Sequence, residues 1–255
     1  MSAIWAVALN TWRESIRDRV LYSLFFFSAV VIVISLGAKE LSIGDVDKVV
    51  RSVALGAIRL FGYGFSLLLG VGLVYKEIEQ RTIYTIASKP FPRWHFVLGK
   101  YLGLMGVLAT LLLGMGALYC FSVGLQQGFP GPEVFWSWLL LYVELGLLTA
   151  WALLLSCGSS PIVATFFAVS VMLIGNLADD IWRFGHQVDS PSVQAASEAL
   201  YWLLPNFSVL NVSELAVHQR AVPWDRILGG MGYGLAYTIV VLPGAFVIFS
   251  RRDFK

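Results

Sequence analysis

The chain has 255 residues, 58% of them hydrophobic and only 13% charged, with a formal net charge of +2 and a mean hydropathy of +0.75. Soluble domains carry about 25% charged and about 45–50% apolar residues, so this composition excludes an ordinary soluble fold. No basic stretch is interleaved with stackable aromatics, and nucleic acid has no support as a partner.

Residues 1–19 are expected to form an amphipathic helix lying in the inner membrane interface. Trp5, Leu9, Trp12 and Ile16 recur at spacings of four, three and four, while Asn10, Arg13, Glu14, Arg17 and Asp18 fill the other face. Polar residues persist to Arg19 with no small-residue cleavage site after the apolar run, so the segment reads as retained and not as a cleaved signal.

Residues 20–255 read as one all-α membrane domain with six apolar runs: Val20–Ala38, Val53–Tyr75, Tyr101–Val123, Val134–Cys157, Pro161–Ala178 and Leu228–Ser250. Each is about as long as a helix needs to cross 30 Å of hydrocarbon. Gly158, Ser159 and Ser160 alone separate the fourth run from the fifth, which forces an antiparallel hairpin. Pro243 is expected to kink the last. Eleven lysines and arginines flank the ends that share a side with the N-terminus, against six on the other side, which puts both termini in the cytoplasm of a multi-pass, bacterial inner-membrane protein.

Between the second and third runs lies a cytoplasmic loop, 76–100, with a short helix through Ile83 and Ile86 stopped by Pro90 and Pro92. The external loop 39–52 has no assignable role. In the longer external loop 179–227, Ala195–Leu204 reads as an amphipathic helix closed by Pro205.

The chain offers no catalytic constellation. Gly99-Lys100 is followed by Tyr101, and Trp94 stands where a phosphate-binding loop needs its first glycine. His95, His186 and His218 lack metal-ligand spacing, Asp179-Asp180 reads as a solvated helix end, and Cys120 and Cys157 fall at opposite ends of neighbouring spans. Asn206-Phe207-Ser208 and Asn211-Val212-Ser213 match the glycosylation pattern, which is common by chance. Neither a metal nor a cofactor is expected on this chain.

Two charges fall inside spans. Glu144 lies mid-span and Arg59 about 9 Å below a span end, depths at which a charge is usually paired or faces an aqueous cavity. They are expected to pair or share a cavity, either fixing helix packing or lining a substrate route. Gly99-x-x-x-Gly103 and Gly230-x-x-x-Gly234 have the spacing that lets helix backbones approach, which favours a packed bundle or a dimer.

The stretch Glu77-Ile-Glu79-Gln-Arg81-Thr82-Ile, with Ser88-Lys89-Pro90, Arg93 and Gly99-Lys100-Tyr101, resembles the signature of ABC-2-type transporter permeases. So do the opening Ala8-Leu9-Asn10-Thr11 with Arg13-Glu14 and Arg17-Asp18-Arg19, the Leu204-Pro205-Asn206-Phe207 segment, and the closing Phe249-Ser-Arg251-Arg252-Asp253-Phe254. The likeness is to the branch that includes permeases of gliding-motility and nitrous-oxide-reductase-maturation systems. It implies six spans, a homodimer, and two copies of a separate ABC ATPase that uses ATP and Mg. It also implies an export route coupled to that ATPase through Glu77, Glu79, Arg81 and Thr82, beside an interface helix carrying Arg13, Glu14 and Arg17. The alternatives are an ATP-driven mechanotransmitter or scaffold acting on periplasmic partners, and an ion-coupled carrier. The sequence displays no inverted repeat or broken-helix pair to favour a carrier.

Overall fold

The computed structural model describes residues 3–37, 46–79, 93–188 and 190–251. Every regular element among them is helical: α1 (Ala3–Ile16), α2 (Arg19–Gly37), α3 (Val46–Glu79), α4 (Arg93–Gln127), α5 (Pro132–Gly158), α6 (Pro161–Asn176), α7 (Ala178–Gln187), α8 (Pro191–Leu203), α9 (Ser213–Val217) and α10 (Trp224–Arg251), with a 3-10 turn at Phe207–Leu210.

Four helices contain stretches long and apolar enough to cross a membrane: Asp47–Gly72, Trp94–Gly124, Pro132–Gly158 and Trp224–Ile248. A fifth crossing results if α6 and α7, bent by 62° at their junction, are counted together as one broken span rather than as a re-entrant loop. Alone, the 16 residues of α6 reach about 24 Å, short of the roughly 30 Å of hydrocarbon. The apolar part of α2, Leu21–Ile34, is likewise shorter than a full crossing. The described residues therefore form a multi-pass, all-helical membrane protein with four to five candidate crossings by length and composition, against the six expected from the sequence.

The axis of the bundle is α5. Of its apolar window 72% is buried, against 22% for α10, which lies at the periphery. It packs against α3, α4, α6 and α10. Prolines open α5, α6 and α8 at the first helical turn, where the missing N–H costs nothing. The α5–α6 hairpin turns at Ser159, whose N–H and hydroxyl both bond the Leu155 carbonyl. Pro243 sits inside α10, which runs through it as one helix.

The N-terminal helix is seated on the bundle. It packs along α4, and contacts advance in the same direction on both: Ile4 and Val7 meet Gly99, Ala8 and Thr11 meet Gly103, and Trp12 meets Gly106. These glycines lie within the apolar stretch Trp94–Gly124. The packed face is thus the small-residue stripe Ala8, Thr11 and Ser15, all buried, while Trp5 of the expected apolar face is 54% exposed. Close backbone approach outweighs side-chain apolarity here. A Cβ at Gly103 would stand 2.6 Å from the Ala8 carbonyl oxygen, and one at Gly99 2.9 Å from that of Ile4. The second glycine pair seats α10 on α5: a Cβ at Gly230 would meet Leu140, and one at Gly234 would press into Val143. Both glycine pairs serve packing within the chain.

Candidate functional site: a buried charge cluster at a helix break

Three helices bring polar side chains to one place inside the bundle. Arg59 and Tyr63 are one turn apart on α3, so they share a face. Glu144 projects from the middle of α5, and Asn176 is the last residue of α6, at the 62° bend. The Arg59 guanidinium donates to Glu144 Oε1 at 2.7 Å and to Asn176 Oδ1 at 3.0 Å, and its Nε–H donates to the Tyr63 hydroxyl at 2.8 Å. The Tyr63 hydroxyl stands within hydrogen-bond reach of both Glu144 Oε1 and Asn176 Oδ1, the latter at 2.9 Å. Asn176 is oriented in turn by donating from Nδ2 to the Met172 carbonyl at 2.8 Å.

Burial sets the electrostatic weight of this arrangement. The Glu144 side chain is 1% exposed and that of Arg59 14%. A buried carboxylate is tolerated only with a counter-ion, which Arg59 supplies to Glu144 Oε1. Its ion pair and the two neutral hydrogen-bonding groups form one network shared by α3, α5 and α6.

A polar stripe continues from the cluster along the α3–α5 seam. Ser66 donates to the Leu145 carbonyl at 3.1 Å and lies 2.8 Å from the Thr149 hydroxyl. Further along, the backbones close up: a Cβ at Gly70 would stand 2.5 Å from the Ala152 methyl. Ser156 turns its hydroxyl back to the Leu153 carbonyl at 2.9 Å. Arg59, Tyr63, Ser66 and Gly70 recur at spacings of four, three and four, the seam of a tightly packed helix pair.

Of the residues singled out in the sequence, the structure brings Arg59 and Glu144 into direct contact. Arg13 and Arg17 lie exposed at the end of α1, and Glu14 is half-buried. Glu77 and Glu79 belong to the last turn of the continuous helix α3, while Arg81 and Thr82 lie outside the described residues. Asp179 is not a solvated helix end: it accepts from Asn206 Nδ2 at 2.6 Å and from the Ser208 hydroxyl. Asn206 is itself buried, so the first glycosylation pattern is closed off. His186 Nε2 lies 3.3 Å from Glu198 Oε1, joining α7 to α8. Among the described residues, no group of three or more His, Cys, Asp or Glu is placed to hold a metal.

Sequence reasoning missed Tyr63, Asn176 and Lys100. Tyr63 was marked by its one-turn spacing from Arg59, and Asn176 by being the one amide in the fifth apolar run. Lys100, counted above with the charges at a membrane boundary, is 1% exposed, and its ammonium lies 5.6 Å from the centre of the Phe96 ring.

No family model matches the chain. It is similar to NADH-quinone oxidoreductase subunit N of Mycobacterium sp. (strain JLS), with 26% identity over 295 residues, covering 96% of this chain. The chain spans 60% of that relative's length. A likeness to a quinone-oxidoreductase subunit points away from an ATP-driven exporter. On that finding the reading as an ABC export permease, with the alternatives attached to it, is corrected.

Proposed function

We propose that the chain is a membrane-embedded subunit of a larger assembly and that Glu144 takes up and releases a proton inside the bundle. The observation that carries this reading is the closed network of Arg59, Tyr63, Glu144 and Asn176 at the bend between α6 and α7. Ionisable groups at such depth mark ion and proton sites by default, because a purely structural contact is made more cheaply by apolar side chains. A helix break beside them supplies backbone that can move without disturbing a whole span.

The chemistry follows from the partners. As a carboxylate, Glu144 accepts from Arg59 and Tyr63. On gaining a proton at Oε1 or Oε2 it becomes a neutral acid, and the Arg59 guanidinium loses its counter-ion while staying protonated. Arg59 then keeps its bonds to Asn176 Oδ1 and the Tyr63 oxygen, so the site holds together in both states. The name of the similar mycobacterial protein, a subunit of an NADH-quinone oxidoreductase, supports the reading as part of an assembly. The lysine and arginine bias supports a cytoplasmic location for both termini. The motif likeness to ABC-2-type permeases is carried here as a proposed kinship only, without the export activity.

The test is acid-induced infrared difference spectroscopy on the reconstituted chain, comparing the parent with Glu144→Gln. A protonated-carboxyl band that vanishes in Glu144→Gln is the expected result. The competing reading, a static charge pair stapling three helices, has the direct Arg59–Glu144 contact in its favour and predicts identical spectra.

A further inference from the structure

The bend that presents Asn176 to the cluster is held from outside by a second set of contacts. Gly175, one residue before Asn176, lies under the segment that follows α8: a Cβ there would stand 2.5 Å from the Pro205 carbonyl oxygen and 2.7 Å from the Phe207 ring. Asp179, three residues after Asn176, accepts from the Asn206 amide and the Ser208 hydroxyl of that same segment. The Asn206 side chain also accepts from the Ser208 N–H at 3.0 Å, which rigidifies the turn. The segment is anchored in turn to α10, because the Asn206 N–H donates to the Tyr233 hydroxyl at 2.8 Å. Phe207 is fully buried and Asn206 3% exposed, so the strap is part of the packed interior.

We infer that residues 205–208 form a strap that fixes the α6–α7 bend, and that Asp179 is a positioning residue acting through Asn176 on the Arg59–Glu144 pair. The geometry is that of a clamp with two jaws. Gly175 admits the strap on one side of Asn176, and Asp179 grips it on the other. Asn176 contributes a single acceptor, Oδ1, which receives both Arg59 and Tyr63. Moving the end of α6 removes the one contact of the cluster that comes from outside the α3–α5 pair. Water can then enter beside Glu144. The strap thereby governs the environment of the site without touching it.

The inference about Glu144 rests on the proton site proposed above, while the clamp itself does not, and two readouts separate them. Among the described residues, the ionisable groups acting on Glu144 are Arg59 and Tyr63 of α3, and α6 adds the neutral amide of Asn176. The infrared titration of the Glu144 carboxyl and hydrogen–deuterium exchange across residues 172–182 are measured on the full chain in lipid. Asp179→Ala, Ser208→Ala and their double variant are compared with Gly244→Ala, which crowds Leu154 at a distant α10–α5 contact. Asp179→Ala and Ser208→Ala should each speed exchange at the bend and displace the carboxyl midpoint by about one pH unit, since admitted water changes both the desolvation of the carboxylate and its attraction to Arg59. The double variant should add little, because the two residues act as one contact. Gly244→Ala should leave the midpoint in place.

A midpoint that stays fixed while the bend exchanges faster would reduce the strap to a structural tie and overturn the positioning role. Unchanged exchange in both single variants would overturn the clamp. A parent carboxyl band that never titrates would refute the proton site, and the strap would then stand or fall on the exchange at 172–182 alone.

Discussion

The backbone carbonyl of Ala8 on α1 and Gly103 on α4 lie so close that a methyl group at residue 103 would sit 2.6 Å from the carbonyl oxygen, with the Thr11 Cβ 2.7 Å away on the other side. The N-terminal helix is therefore seated by backbone contact against an apolar helix, reinforced where Trp12 Nε1–H donates to the Thr110 hydroxyl at 3.2 Å. Gly103→Val should displace α1 and cost about 1–3 kcal/mol, the usual penalty for overfilling a packed contact. Protease protection of residues 3–16 is expected to fall while α5 and α10 stay protected. Unchanged protection would show that α1 is held by something other than this groove.

Glu144→Gln leaves Arg59 with no carboxylate partner in a site only 14% open to solvent. Stranding one member of a buried pair costs about 3–5 kcal/mol, whereas replacing both with apolar groups is often neutral. Glu144→Gln is accordingly expected to lower the unfolding midpoint in detergent strongly, and Arg59→Met with Glu144→Leu to recover most of the loss. If the double variant is as unstable as the single, the pair is a net stabiliser and not a feature kept for its charge.

The hydroxyl contact between Ser66 and Thr149 ties α3 to α5 one turn beyond the cluster. Ser66→Ala should cost about 1 kcal/mol and Thr149→Val a similar amount, with the double variant costing less than the two together. Additive losses in denaturant unfolding would mean that the two hydroxyls each bond the Leu145 carbonyl without depending on one another.

Much of this architecture is legible in the sequence, and the misses have physical causes. Long apolar runs located α3, α4, α5 and α10, since hydrocarbon thickness dictates their length. Depth alone marked Arg59 and Glu144 as partners, because an isolated charge at mid-span is too costly. The α6–α7 bend was hidden because hydropathy reports apolarity and not direction. The packed face of α1 was not legible in the sequence for a related reason. Periodicity of large side chains favoured Trp5 and Leu9, whereas a glycine groove on a distant helix selects the small residues Ala8, Thr11 and Ser15. Asp179 resembled any acidic helix start until the strap, some 27 residues further on, was brought beside it.

The central claim is that Glu144 changes protonation within an otherwise intact bundle. Acid-induced infrared difference spectra of the full chain in lipid vesicles test it most directly, with the parent, Glu144→Gln and Asn176→Ala measured side by side. The account predicts a reversible carboxyl band in the parent, its loss in Glu144→Gln, and a displaced midpoint in Asn176→Ala, where Arg59 and Tyr63 lose their shared acceptor. A parent spectrum indistinguishable from that of Glu144→Gln across the pH range in which the bundle stays folded would contradict it.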